Sequence, residues 1–268
     1  MKNFKLGFIG CGKMASAIIK GITEANLLNR EKIFASVHNE KSVNKKQQEL
    51  GINVYCDNKK LVQISDVIFI STKPNQVEDV LSETENEITK DKLIVSICAG
   101  VKTEKIEKYT KDAPVIRVMP NAPLMVQMGM SAIVKGAYAK DEHVEVVKNI
   151  FEKLGKCIVT TEDKIDIVTA ISGSGPAFFY KIIHEMALAG EKLGMEYNDA
   201  LILAEQTAMG SANLMMKSDL TPTELINNIS TKGGCTEVGV SVMKESFTDK
   251  IFEEVIIKTT QKAKALGD

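Results

Sequence analysis

The chain has 268 residues, of which 44% are apolar and 26% charged. This is an ordinary globular composition, with length enough for one large domain or two smaller ones. Lysine and arginine total 34 against 35 aspartate and glutamate, for a formal charge of −1; that balance argues against a nucleic-acid or membrane-surface partner. Arg30 and Arg117 are the only arginines, which weakens a phosphate-clamp reading further. The five cysteines, Cys11, Cys56, Cys98, Cys157 and Cys235, are odd in number, widely spaced and form no C-x-x-C pair. Neither a disulfide framework nor a zinc site is expected, and no metal is assigned. Lys2 and Lys5 precede a short apolar stretch that Gly7, Gly10 and Gly12 interrupt, with no leader-cleavage pattern after it. No apolar run approaches the ~20 residues of a membrane helix. A reducing cytoplasm is the expected compartment.

Strand and helix patterns alternate through the first half. "KLGFIG" (5–10) is a short apolar run ending in glycine, and Met14, Ile18, Ile19 and Ile22 then follow helical spacing. "KIFASV" (32–37) reads as the next strand. "SDVIFIST" (65–72) is apolar on both faces, as a central parallel strand is. "KLIVSICAG" (92–100), "APVIRVMPN" (113–121), "GMSAIVKG" (129–136) and "KCIVTT" (156–161) repeat the form. Polar-patterned stretches at 41–51, 75–89 and 140–154 suit crossover helices. The alternation predicts a parallel sheet with helices on both faces.

From about residue 164 the strand pattern stops. "PAFFYKIIHEMALAGEKLG" places Phe179, Ile183, Met186, Gly190 and Leu193 on one stripe, with Pro176 suited to a first helical turn. "NDALILAEQTAMGSANLMMKS" (198–218) is apolar over much of its circumference, which predicts burial all round. "TPTELINNI" opens with a capping box of Thr221 and Glu224 around Pro222. The last pattern starts at Thr248 and stops at Gly267. The expected division is an α/β domain over 1–163 and an all-helical domain over 164–268.

Two glycine clusters carry the chemistry. "GFIGCGKMASAI" holds Gly10-x-Gly12-x-x-Ala15 between a predicted strand and a predicted helix. Gly10 permits a tight turn, Gly12 lets backbone approach a pyrophosphate, and Ala15 lets the helix pack close to the strand. The helix N-terminus adds amide donors for the phosphates. A bare strand-to-helix turn is the alternative. After the second strand come Ser36, His38 and Asn39, not the carboxylate that usually holds a ribose 2′-hydroxyl. Its absence favours NADP, with Lys41 as an electrostatic aid; Glu40 is the residue that would reverse this. The second cluster, "NNISTKGGCTEVG" (227–239), interrupts a helical region, where paired glycines are costly. Read alone, it is equally a simple interhelix turn.

Catalytic motifs are missing. His143 lies in a polar helix and His184 inside a helix of the second half, where packing explains it. There is no Ser-His-Asp order, metalloprotease motif or phosphate-binding Walker loop. If the chain is an enzyme, a cofactor carries the difficult step, and hydride transfer to an imine fits that profile, since a protonated C=N is already electrophilic.

"VIRVMPNAP", "ISGSGPAFFYKIIHEMALAGEKLG", "AEQTAMGSANLM" and "STKGGCTEVGVSVMKESF" together resemble pyrroline-5-carboxylate reductase over essentially the whole chain, in the right order. The resemblance implies an N-terminal Rossmann-type domain followed by an all-α dimerisation domain, self-association as a dimer or larger oligomer, and reduction of L-1-pyrroline-5-carboxylate to L-proline with NADPH, or with NADH. It implies cofactor contacts at Ile9, Gly10, Cys11, Gly12, Lys13 and Met14, at Ser36 and at Asn58 ahead of the third strand. Further contacts fall on the turn Ser71, Thr72, Lys73 and Pro74, and on Ile97, Cys98 and Ala99. The implied substrate loop is Asn228, Thr231, Gly233, Gly234, Cys235 and Thr236. There the amides of Gly234 to Thr236 hold a carboxylate and the Thr236 hydroxyl meets the ring nitrogen, the catalytic contact. Lys232 replaces the family's proline and Cys235 a threonine, and Ala122 stands where threonine is common.

Two rivals remain. A β-hydroxyacid dehydrogenase also joins a Rossmann domain to helices, and Gly173-x-Gly175 before Lys181 is superficially similar; the spacing is longer and no asparagine follows at 184 or 185. A dinucleotide-sensing protein without turnover would not need the polar loop of Gly233, Gly234 and Thr236.

Overall fold

The computed structural model describes residues 4–246 and 248–267. The readings that touch Lys2, Phe247 and Asp268 lie outside the described residues. By its contacts the chain divides into two compact units, Met1–Ser174 with Thr259–Asp268, and Gly175–Lys258. Residues 164–174, placed with the helices from sequence, pack with the first unit.

The first unit is built on one sheet of β1 (Leu6–Ile9), β2 (Ile33–Ser36), β3 (Asn53–Tyr55), β4 (Val67–Ile70), β5 (Leu93–Ser96), β6 (Val115–Met119), β7 (Gly129–Lys135) and β8 (Gly155–Thr160). Their order is β3-β2-β1-β4-β5-β6-β7-β8. Every residue of β1, β2, β4 and β5 is buried, which is why these strands read as continuous apolar runs. Side chains alternate between two cores. Phe8 and Phe69 stack at 4.5 Å on one face, while Ile9, Ile68 and Ile70 enter the core on the other.

Helices α1 (Lys13–Glu24), α2 (Glu40–Leu50), α3 (Asn58–Ile64), α4 (Val77–Thr84), α5 (Thr103–Glu107) and α6 (Asp141–Phe151) connect the strands. Asn39 caps α2, its side-chain oxygen accepting from the Ser42 amide at 3.0 Å. Asp57 caps α3 by accepting from the Lys60 amide at 2.9 Å.

Three sequence expectations are corrected. The sheet is not wholly parallel: β7 runs antiparallel to β6, and β8 parallel to β7. Residues 120–128 are too few for the crossover that a parallel return needs. The helix expected over 75–89 stops at Thr84, whose carbonyl accepts from the Glu87 and Ile88 amides in a turn. β3 and α3 were not foreseen, so the strand that Asn58 precedes is the fourth, β4.

The helical region holds α7 (Ile165–Val168), a π-helical turn over Thr169–Gly173, α8 (Gly175–Lys192), α9 (Tyr197–Lys217), α10 (Pro222–Ile229), α11 (Cys235–Glu245) and α12 (Thr248–Gly267). Gly190 lets α8 meet α9 closely: a Cβ there would lie 2.9 Å from that of Ala200. The capping box is present, with Thr221 accepting from the Glu224 amide at 3.3 Å and its own amide donating to the Glu224 carboxylate at 2.8 Å. The expected burial of 198–218 is not found in the single chain. Only Ala200 and Ala204 of α9 are buried, and Ile202 is 61% exposed. No helix of the described residues is long and apolar enough to cross a membrane.

Candidate active site

The first candidate region lies at the C-terminal ends of β1, β2 and β4. β1 is flanked by β2 on one side and β4 on the other, so the chain reverses direction across the sheet here, where open α/β sheets bind ligands. Gly10 has φ +87°, and a Cβ on it would lie 2.8 Å from the Ser71 carbonyl oxygen. The Ser71 amide donates to the Ile9 carbonyl at 2.9 Å, and its hydroxyl lies 2.7 Å from the Gly10 carbonyl. These bonds fix the turn after β1 against the turn after β4. Gly12 is the N-cap of α1 with no side-chain cap, leaving the first-turn amides to an outside acceptor.

Ile9, Gly10, Gly12, Ser36, Asn58, Ser71, Thr72 and Lys73 line one groove of about 520 Å³. Cys11, Lys13, Met14, Pro74, Ile97, Cys98 and Ala99 do not line it. Cys11 is buried, which pushes its thiol up. Cys98 is also buried, and burial pushes its thiol up to about 11. Its sulfur lies 3.3 Å from the Ile70 and Thr72 carbonyls, a neutral donor bracing the turn after β4. Lys13 is exposed and Met14 half-buried at the start of α1.

At the far end of the groove the buried Ser36 hydroxyl donates to Asn58 Oδ1 at 2.7 Å. Asn58 Nδ2 donates to Glu83 at 2.8 Å. Glu83 and Asp79, both on α4, line the groove and were missed from sequence. No local pattern marks them, because only the packing of α4 beside the sheet brings them there. His38 and Cys56 line it too. The groove fits a dinucleotide: a Cβ at Gly12 would meet nothing within 4 Å, and the buried Thr72 hydroxyl has no partner.

The second candidate region is the link between α10 and α11, in the other unit. Asn228 lies in the last turn of α10, and Thr231 follows it. Gly233 has φ +77°, and a Cβ on Gly234 would lie 2.7 Å from Thr231 Oγ1, so each glycine is needed for its own reason. Gly234 caps α11, and Cys235 and Thr236 form its first turn. The sequence assigned carboxylate binding to the amides of Gly234 to Thr236. In the structure the Gly234 amide already donates to the Thr231 carbonyl at 2.9 Å. The first-turn amides of Cys235 and Thr236 remain, having no intrahelical acceptor. Glu237, unremarked in the sequence, accepts from the Gly233 amide at 2.7 Å and closes the loop.

Other singled-out residues take structural roles. Asn121 gives Nδ2 to the Ser172 carbonyl at 3.2 Å and accepts the Met130 amide at 2.8 Å. It ties β6 to β7 and to the π-helical turn. Lys181, the residue a β-hydroxyacid dehydrogenase would use, is exposed and pairs with Glu185 one turn on. His184 lies 2.9 Å from the Tyr197 hydroxyl. Among the described residues no group of three or more His, Cys, Asp or Glu could hold a metal ion.

Two family models match the chain: one for NADP oxidoreductase, coenzyme F420-dependent, over residues 5–100, and one for pyrroline-5-carboxylate reductase dimerisation over residues 162–266. The pyrroline-5-carboxylate reductase of Methanosarcina acetivorans is 36% identical over 100% of this chain and 99% of its own length. The solved Plasmodium falciparum pyrroline carboxylate reductase, with NADP bound, has a TM-score of 0.89 and 31% identity and covers 100% of both chains. That from Coxiella burnetii has a TM-score of 0.92 and 28% identity over 99% of both chains.

Proposed function

The chain belongs to the pyrroline-5-carboxylate reductase family, and we propose from that premise that it reduces the C=N bond of L-1-pyrroline-5-carboxylate to give L-proline, with NADPH preferred and NADH also accepted. The observation that carries this is the 36% identity to a named reductase across the whole chain, both units included. We assign residues 1–163 to the cofactor and 164–268 to dimerisation and substrate; the family models over residues 5–100 and 162–266 support a division near there.

Bound NADPH supplies the hydride for the imine carbon. The chain supplies position. The Gly10–Gly12 turn and the start of α1 hold the pyrophosphate through backbone amides. Ser36 and Asn58 hold the ribose end, and Thr72 offers its unused hydroxyl to the dinucleotide. Ser71, Thr72 and Lys73 line the same groove, and we assign Pro74 and the turn Ile97–Ala99 to the cofactor with them. In the other unit, the first-turn amides of Cys235 and Thr236 hold the substrate carboxylate at the positive end of α11. The Thr236 hydroxyl accepts from the protonated ring nitrogen and fixes the face presented for reduction. Asn228 and Thr231 shape the loop from the α10 side. Positioning of two reactants is the main source of rate here, since no strong acid or base is required.

The enzyme self-associates as a dimer, and as larger assemblies of dimers, through its helical region. The exposed Ile202, Leu203, Met209 and Leu214 of α9 supply apolar surface for it. Free cysteines and the absence of a membrane-length helix among the described residues suit the cytoplasm, where we place it.

The test is oxidation of NADPH and NADH with pyrroline-5-carboxylate, then with a 3-keto acid and a semialdehyde acid. Oxidation with the imine alone is expected. Turnover of the carbonyl acids without the imine would favour the β-hydroxyacid dehydrogenase reading, and cofactor binding with no turnover would favour a sensor.

A further inference from the structure

We propose that Glu83, with Asp79 one turn before it on α4, limits how strongly this enzyme prefers NADPH over NADH. The proposal rests on the cofactor assignment above and adds a specificity-determining residue to it.

The ribose end of the groove is internally committed. Ser36 is 2% exposed and gives its hydroxyl hydrogen to Asn58 Oδ1 at 2.7 Å. One amide hydrogen of Asn58 points the other way, to Glu83 Oε2 at 2.8 Å. Both ends of the Asn58 amide are therefore held, and its orientation is set by an acid. Asp79 and Glu83, four residues apart, line the same groove, as neighbours on one helix face do. The cation lining it is Lys73, and His38 lines it too. No arginine lines it, so the planar fork that usually grips a phosphate is lacking.

The two cofactors differ in what they bring to this end. A free 2′-hydroxyl both donates and accepts, so it bonds a carboxylate or an amide as it finds them. A 2′-phosphate only accepts and carries about −1.5 to −2 charges. Whether it takes the second Asn58 Nδ2 hydrogen or displaces Glu83 from the first, it lies among two carboxylates. Glu83 thus costs NADPH affinity while leaving NADH nearly indifferent. The residues directly after β2, Val37, His38 and Asn39, include no carboxylate, where NAD enzymes usually place one; α4 brings Asp79 and Glu83 to the same groove.

Glu83→Gln separates charge from geometry, because glutamine keeps an oxygen for the Asn58 amide. Dissociation constants of NADPH and NADH, measured without imine by quenching of cofactor fluorescence, give the preference directly. The preference for NADPH should rise roughly five- to tenfold in Glu83→Gln, the size expected for removing one like charge about 4 Å away in a groove open to water. The NADH constant should stay within about twofold, which also shows that the variant is folded. Asp79→Asn should shift the preference the same way by a smaller factor. A Glu83→Gln preference within about twofold of the unsubstituted protein would overturn the proposal. Because no imine is present, a protein that binds both cofactors but fails to reduce the imine loses the assigned reaction and not this inference. Failure to bind either dinucleotide overturns the cofactor assignment and the inference together.

Discussion

The two units treat apolar side chains in opposite ways. Phe8, Phe69 and Phe151 of the first are fully enclosed, and strands β2, β1, β4 and β5 of its sheet have no exposed residue. In the second, the buried residues of α8 and α9 are Gly175, Ala187, Ala200 and Ala204, while Ile202, Leu203, Met209 and Leu214 stay outside. The first unit completes its core from its own sequence. The second leaves large apolar side chains exposed in the single chain; if self-association covers them, its stability depends on that association.

The largest expected effect tests that contrast. Ile202→Glu alters an exposed side chain and touches no core of the single chain, so it should leave the first unit folded. Desolvating the new charge in an interface costs several kcal/mol, and the mass in solution should fall to that of one chain. An unchanged mass would show that α9 is not the associating surface. Phe69→Ala probes the other side of the comparison. It removes a ring stacked on Phe8 and should cost roughly 3–5 kcal/mol in urea unfolding of the first unit, with the folded fraction still associating. Gly12→Ala is smaller and more selective. Its Cβ has free space, so stability should hold within about 0.5 kcal/mol. NADPH binding should weaken by about 1.5–3 kcal/mol, the worth of hydrogen bonds to a charged group. Gly10→Ala, with φ +87° and the Ser71 carbonyl close by, should instead lose stability and binding together.

What the sequence disclosed follows the same division. The strand-glycine-helix start was legible because a buried parallel strand is an unbroken apolar run and the glycines punctuate it. The Thr221–Glu224 box was legible because its bonds are local. β3 is three residues long, too short to show a period, and the reversal at β7 depends on loop length rather than side chains. Periodicity gave the apolar girth of α9 but could not say whether the cover is this chain or another. Asp79 and Glu83 entered the groove through packing that no local pattern announces, whereas Glu237, three residues after the N-cap Gly234, is a local contact missed from sequence. Glu237 matters for the reading of the second glycine pair. It shows that the loop carries an acid of its own on the Gly233 amide, beside the donors assigned to a substrate carboxylate.

The central claim is that the two glycine turns divide the labour, one holding the dinucleotide and the other the imine. Thr236→Ala tests it most directly, through kcat/KM for pyrroline-5-carboxylate measured beside the NADPH dissociation constant. Loss of one hydrogen bond to a charged ring nitrogen should lower kcat/KM roughly tenfold to a hundredfold and leave NADPH binding unchanged. An equal loss of NADPH affinity, or an unaltered kcat/KM, would contradict the assignment of this loop to the substrate.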